Sequence, residues 1–362
     1  MKPRTAVTVL FFAFCAGAIG WGVLADARAT RLEALLARIE AAEDAVPYEG
    51  VREMGGPDGG VRLRIASQNG RKRVEFLGFQ GGSKPASGLK RPPKVPFFGG
   101  GIPMFLRPGE GQWKRKVKDF ELAVRNYEVV EVGRETVAGR PAEIIELRSR
   151  HEGRPDYRVA ADLENRFPLR FEVLRGGERV FETRFESIVF HPKFAERAFD
   201  DPAPRPSWIK VDRQEVAREQ LPSRAGFGVW LPSRLPRGFE PRGAELFRVR
   251  VEAPENAREA IQSFLPFGLP KVDVPVTHVN YTDGMAVLSV VECPADSELW
   301  KFLRKFVPSG GPATSGGKVV ARKFADRRGA AYLMELEGTV VLVAGNVDAA
   351  VIEEIIPTFE RR

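Results

Sequence analysis

Alternation with a period of two, interrupted by hairpin turns, is the feature that most restricts how this chain can fold. Val61, Leu63 and Ile65 alternate with Arg62 and Arg64, Asn69-Gly70 follows, and Val74 and Phe76 resume the pattern. Successive strand side chains point to opposite faces, so this spacing describes a sheet with one apolar and one wet face. Asn-Gly is the dipeptide that best accepts the positive φ angles of a two-residue hairpin. Phe181, Phe185 and Val189 alternate with Glu182, Arg184 and Glu186, and Gly176-Gly177 separates that strand from Leu169–Leu174. With Val129–Val132 and Ile144–Leu147, the pattern predicts an antiparallel meander of about seven strands. Upstream, Leu32, Leu35, Leu36 and Ile39 recur at helical spacing, which predicts an amphipathic helix over Thr30–Asp44. A helix and a sheet with one apolar face each bury them against one another.

The pattern changes between Asp200 and Pro236, where Pro202, Pro204, Pro206, Pro222, Pro232 and Pro236 accumulate. Such a run marks an interdomain connection. Beyond it, strands are expected at Val276–Tyr281 and Met285–Val291 around an Asp283-Gly284 turn, with a helix over Ser297–Phe306. Strands at Lys318–Phe324, Ala330–Leu336 and Val340–Val343 follow, and Val347–Phe359 reads as a closing helix. The expected organisation is residues 1–29 as a signal peptide or membrane anchor and 30–205 as a sheet domain covered by its helix. Residues 206–234 are then a Pro-rich linker, and 235–362 a smaller α+β domain.

Lys2 and Arg4 precede a charge-free stretch from Thr5 to Ala25, and small-residue patterns follow at Val23-Leu24-Ala25 and Ala27-Arg28-Ala29. A basic start, an apolar middle and small residues before a break describe an export signal. The apolar stretch is also long enough to span a bilayer uncleaved. Either reading places the remainder outside the cytoplasm, free or anchored to the membrane; the family resemblance described below makes that compartment the periplasm and that membrane the inner one. Export argues against a nucleic-acid partner despite the net charge of +8.

The excess charge is concentrated. Arg62, Arg64, Arg71, Lys72, Arg73, Lys84, Lys90, Arg91 and Lys94 face only Glu75 over Arg62–Lys94, and Lys114, Arg115, Lys116 and Lys118 follow Trp113. Arg71, Lys72, Arg73, Lys114 and Arg115 are the candidates for contact with lipid phosphates or an acidic partner. Between Gly81 and Gly111 a Gly- and Pro-rich segment carries Phe97, Phe98, Ile102, Met104, Phe105 and Leu106. With Trp113, the first five of these are the candidate apolar ligand contacts, since long loops in compact domains are commonly functional. The competing reading is that the segment packs over the open end of the sheet.

Signatures of catalysis are missing. There is no phosphate loop and no Gly-x-Ser-x-Gly elbow. His151, His191 and His278 lack ligand spacing, so neither metal nor other cofactor is expected. His278, Asp283 and Ser289 supply the residue types of a triad, but Asp283 reads as a turn residue and Ser289 as mid-strand. The expectation is a binding protein and no enzyme.

Several runs carry a resemblance. Tyr48-Glu49-Gly50, Val137-Ala138-Gly139-Arg140-Pro141-Ala142, Tyr157, Asp162 and Phe167-Pro168-Leu169-Arg170 resemble the periplasmic sigma-E regulatory proteins of the RseB/MucB family, with a LolA-like N-terminal half-barrel. Leu235-Pro236-Arg237-Gly238-Phe239 and the run from His278 to Val290 are similar to the same family's C-terminal domain. The resemblance implies an α+β protein that binds the periplasmic segment of a membrane anti-sigma factor in envelope stress and senses lipid or lipoprotein. The alternative it leaves is a LolA-like periplasmic carrier of lipid or lipoprotein.

Overall fold

The computed structural model describes residues 34–39, 41–57, 59–80, 117–195, 198–199, 209–252, 272–303, 315–316 and 319–362. Helix α1 (34–39 and 41–45) leads into β1 (Tyr48–Gly56), β2 (Gly59–Gln68) and β3 (Arg71–Gln80). After α2 (Val117–Asn126) come β4 (Tyr127–Val137), β5 (Arg140–Ser149), β6 (Asp156–Asp162), β7 (Pro168–Arg175) and β8 (Glu178–Phe190). These strands form one antiparallel sheet in the order β3-β2-β1-β8-β7-β6-β5-β4. The last strand returns to the first, with Tyr48 opposite Phe190. Among the described residues the sheet therefore has β3 and β4 as its edges and is an open half-barrel. Asn69 and Gly70 take φ of 52° and 75°, as a hairpin of this kind requires.

Leu36 and Ile39 on one stripe of α1 pack against Tyr127, Ile145, Leu147, Tyr157 and Val159. A neighbouring cluster joins Tyr48, Ile65, Phe167, Leu169 and Phe185. Tyr48 stands edge-on to Phe167 and Phe185 at 4.7 and 5.6 Å between ring centroids. Burial of these side chains is what fixes α1 to the sheet, because a helix this short is marginal alone. Ile39→Val should therefore cost about 1 kcal/mol in urea unfolding, and a change below a few tenths would show that α1 is undocked in solution.

The second sheet contains β9 (Ile209–Val216), β11 (Glu240–Val251), β12 (Val272–Thr282), β13 (Val287–Pro294), β14 (Ser315–Gly316), β15 (Val319–Asp326), β16 (Gly329–Leu336) and β17 (Thr339–Gly345). Its order is β14-β15-β16-β17-β13-β12-β11-β9. A separate pair joins β10 (Trp230–Pro232) to β18 (Phe359–Arg361). Short helices α3 (Leu221–Ala225) and α5 (Ala349–Glu353) pack on one face around Tyr281, Leu288, Val341 and Val343. Helix α4 (Glu298–Leu303) lies over the other, near Phe247, Val276 and Cys293.

Two expectations change. The stretch 206–234 was expected as a linker, yet Ile209–Val216 and Trp230–Pro232 are strands. Its last proline, Pro232, sits opposite Phe359 at the end of a two-stranded pair, a position that tolerates a missing N–H. The closing helix expected over Val347–Phe359 stops at Glu353 and gives way to a 3₁₀ turn, Ile356–Thr358. Pro357 lies in that turn; proline disfavours α geometry at the residue before it and lacks the N–H of a helix interior. Helix α2 and strand β11 carry no expectation from the sequence reading.

Candidate functional site

Of the residues singled out from the sequence, Phe97, Phe98, Ile102, Met104, Phe105, Trp113, Lys114 and Arg115 lie outside the described residues. Arg71, Lys72 and Arg73 open β3, and each has a partner within the chain. Lys72 Nζ lies 3.6 Å from Glu43 of α1, and Arg73 lies 3.8 Å from Glu49. Arg73 also donates to the Ala198 carbonyl at 2.9 Å, and Arg71 lies over the Phe199 ring. The run thus ties the start of β3 to the end of α1, to β1 and to the turn at 198–199.

The wet face of the half-barrel carries charges in register across its strands. Arg62 of β2 donates through Nε to Glu186 of β8 at 2.9 Å, while Arg184 reaches Glu53 at 2.8 Å. Farther along, Glu172 lies 3.6 Å from each of Arg158, Arg170 and Arg179. Glu146 accepts from Arg148 and Arg158 at 2.7 and 2.8 Å, which hold its carboxyl below the usual range against the opposing effect of burial. This face spends its positive charge on its own carboxylates.

The most developed polar site lies where the two sheets meet. Asp283, in the turn after β12, is fully buried. Its Oδ1 accepts the backbone N–H groups of Met285 and Ala286 at 2.9 and 2.6 Å. Its Oδ2 accepts from the Tyr127 hydroxyl at 3.0 Å and from Arg154 Nη1 at 2.8 Å, both belonging to the half-barrel. Arg154 also donates to the Arg237 carbonyl and lies 4.5 Å from the Phe239 ring centre. Asn126 shares its amide hydrogens among the carbonyls of Leu122, Gly238 and Asp283 at 2.9, 3.1 and 3.0 Å. Its Oδ1 is then an acceptor, so His151 Nε2, at 2.7 Å, is the donor. Burial, followed by the charges of Arg154 and Arg237, pushes the His151 pKa down, which keeps that ring neutral. Gly238 has φ of 81°, and a Cβ there would meet Asn126 Oδ1, so glycine is required for the close approach. Asn346 donates to the Tyr157 hydroxyl at 2.9 Å, and Arg175 pairs with Asp348. The arrangement acts as a buried latch between the two sheets.

The structure brings His278 and Ser289 together, with Glu245 rather than Asp283 as the third member. His278 Nδ1 lies 3.3 Å from Glu245 Oε2, and Nε2 lies 3.5 Å from Ser289 Oγ. Ser289 gives its hydrogen to Asn280 Oδ1 at 2.9 Å, and Arg213 pairs with Glu245. All three triad-like residues are buried on one sheet face. A hydroxyl that donates elsewhere is here one rung of a cross-strand hydrogen-bond ladder. Strand register alone could have located it, since Glu245 is opposite His278 and Asn280 is opposite Ser289. Two cavities border other regions. One of about 680 Å³ is edged by Phe227, Asp296, Glu335 and Thr339. A second of about 210 Å³ lies between Gly56, Val180, Asp326 and Arg328.

Among the described residues no group of three potential metal ligands occurs, and no helix is long and apolar enough to cross a membrane. Residues 1–29 lie outside that set.

Comparison with known proteins matches residues 31–203 to the MucB/RseB N-terminal domain. The chain is 25% identical over 244 residues to the sigma-E factor regulatory protein RseB of Escherichia coli K12 and to that of Shigella flexneri, covering 64% of this chain. The chain spans about 65% of the length of these curated relatives. Among solved structures, the Pseudomonas aeruginosa MucA/MucB complex matches with TM-score 0.51 and 17% identity, over 92% of this chain and 99% of that one. MucB in complex with MucA(peri) matches with TM-score 0.51 and 17% identity, over 91% of this chain and 98% of that one. These two likenesses establish a common fold along both sheets.

Proposed function

We propose, from the match of residues 31–203 to the MucB/RseB N-terminal domain, that this chain is an exported, non-enzymatic regulator of a sigma-E type envelope response. It binds the periplasmic segment of a membrane anti-sigma factor. The observation that carries the reading is the domain match over 31–203. The fold of the second sheet follows a protein solved as a complex with MucA(peri), which supports a peptide-binding partner role for both sheets together. The buried latch supports it further, because a binder that spans two domains needs them held in one geometry. Periplasmic placement rests on the basic and apolar start of the sequence.

Contact with lipid or lipoprotein is the finer part of the reading and rests on the apolar stretch Phe97–Phe105 and Trp113. The carrier alternative requires a hollow, whereas α1 and the Tyr48–Phe167–Phe185 rings occupy much of the described apolar face. The regulator reading is therefore preferred.

The test is calorimetric titration of the purified chain with the periplasmic segment of the anti-sigma factor encoded in the same genome. Saturable binding at one-to-one stoichiometry is the expected outcome. No heat and no co-elution with that segment, together with a co-purifying lipid, would overturn the reading in favour of the carrier.

A further inference from the structure

The junction between the two sheets contains a group that can change charge near neutral pH. His151 is half-buried in the turn between β5 and β6, and its ring abuts the segment that leads into β11. Nε2 donates to Asn126 Oδ1 at 2.7 Å, and a Cβ at Gly238 would lie 3.0 Å from the same nitrogen. Asn126 in turn spans to the Gly238 and Asp283 carbonyls. The backbone around His151 is pinned. Its N–H donates to Ser149 Oγ at 3.1 Å, and the Arg150 N–H donates to the Asn126 carbonyl at 2.9 Å. The charges near the ring are unevenly matched. Arg150 and Arg154 come from its own turn and Arg237 from the approach to β11, while Asp283 of the turn after β12 opposes them. Glu152, the next residue, is exposed. Asp283 already serves Arg154, the Tyr127 hydroxyl and two backbone N–H groups. A positive imidazole would thus join three guanidinium groups around a carboxylate that is already committed.

The geometry points to His151 as a proton-operated release of the latch: in an acidic medium the ring charges, the junction is repelled open, and the two sheets separate while each stays folded. Linkage fixes the direction. Burial, then the charges of Arg154 and Arg237, make the docked ring take up its second proton less readily than at the ordinary value of 6.5. An undocked ring is free of both effects. As pH falls below that value the penalty on the docked form grows, and it levels off once the docked ring is charged as well. The equilibrium between the two forms shifts by that difference in proton affinity and by nothing else. This release is independent of the anti-sigma reading, since it concerns how the sheets hold each other and not what they bind.

Small-angle X-ray scattering of the full chain from about pH 7.5 to about pH 5 tests the inference across the range in which an imidazole titrates. The radius of gyration should grow reversibly by a few ångströms, with an unchanged far-ultraviolet circular dichroism spectrum. His151→Gln keeps an amide donor toward Asn126 and never charges, so it should hold the compact radius throughout. In the unsubstituted chain, the His151 ring resonance in a proton NMR titration should share its midpoint with the expansion. A radius that does not change, or an equal expansion in His151→Gln, would overturn the inference. So would an expansion whose midpoint differs from that of the ring. Loss of the circular dichroism signal along with the expansion would mean unfolding in place of undocking, and would overturn it too.

Discussion

Asp283→Ala lowers the unfolding free energy by about 3–5 kcal/mol in a urea titration, the expected result of breaking a buried ion pair from one side. The cause is the partner left behind. The Arg154 side chain is 3% exposed, and without the carboxylate its charge stays in a poorly solvated junction with one hydrogen bond fewer. The Tyr127 hydroxyl loses its acceptor too, and the backbone N–H groups of Met285 and Ala286 lose theirs. Removing both charges, as in Asp283→Leu with Arg154→Met, should recover part of the loss, because no unpaired charge remains. A loss below 1 kcal/mol for Asp283→Ala would mean that water reaches the junction and that the two sheets are not held in this geometry. Because the latch is what joins the half-barrel to the second sheet, the single substitution should also let limited proteolysis separate them.

The second large effect is a dependence on pH. Glu292 of β13 is buried, and burial pushes its carboxyl up to about 8. Only the Thr277 hydroxyl and the Trp230 N–H, both at 2.8 Å, favour its charged form. In the unfolded chain the group ionises near its ordinary value of 4.5. Below that value both states are protonated and the residue carries no penalty. Between the two values the unfolded state has released its proton and the folded state has not, so stability falls as pH rises; above about 8 the penalty is constant. At about 1.4 kcal/mol per decade, the cost is roughly 3 kcal/mol at pH 7 and about 4 kcal/mol at pH 8. Glu292→Gln, which keeps the shape and never charges, should remove most of that slope and be the more stable protein at pH 8. Parallel stability curves for the two proteins from pH 5 to 9 would show that the carboxyl ionises in the folded state as freely as in water.

The half-barrel was largely legible because its signals are local. Alternation in β2 and β8 and the Asn69-Gly70 turn each report a single hairpin, and the helical spacing of Leu35, Leu36 and Ile39 reports a single stripe. Strand β11 gives a weak pattern because Pro241, Arg242 and Gly243 blur its start; the strand also shifts register between Pro241 and Gly243. Helix α2 was hidden by a lysine-rich approach that read as a surface cluster. The latch could not be read at all. Asp283 was recognised as a turn residue, which it is, but its partners Asn126, Tyr127 and Arg154 are more than a hundred residues away. Distance in sequence likewise concealed Glu245 beside His278. Charge was the least informative signal: the basic run of β3 suggested a contact for anions, whereas Glu43 and Glu49 already neutralise Lys72 and Arg73.

Placing β1 between β2 and β8 has a kinetic consequence. Tyr48 cannot meet Phe190 until the intervening chain has been made and the meander it contains has formed. The cost of closing so long a loop falls on one late step, and the N-terminal hairpin waits with one bare flank meanwhile. Refolding from denaturant should thus be slow for a chain of this size, and most prone to aggregation before that flank is covered.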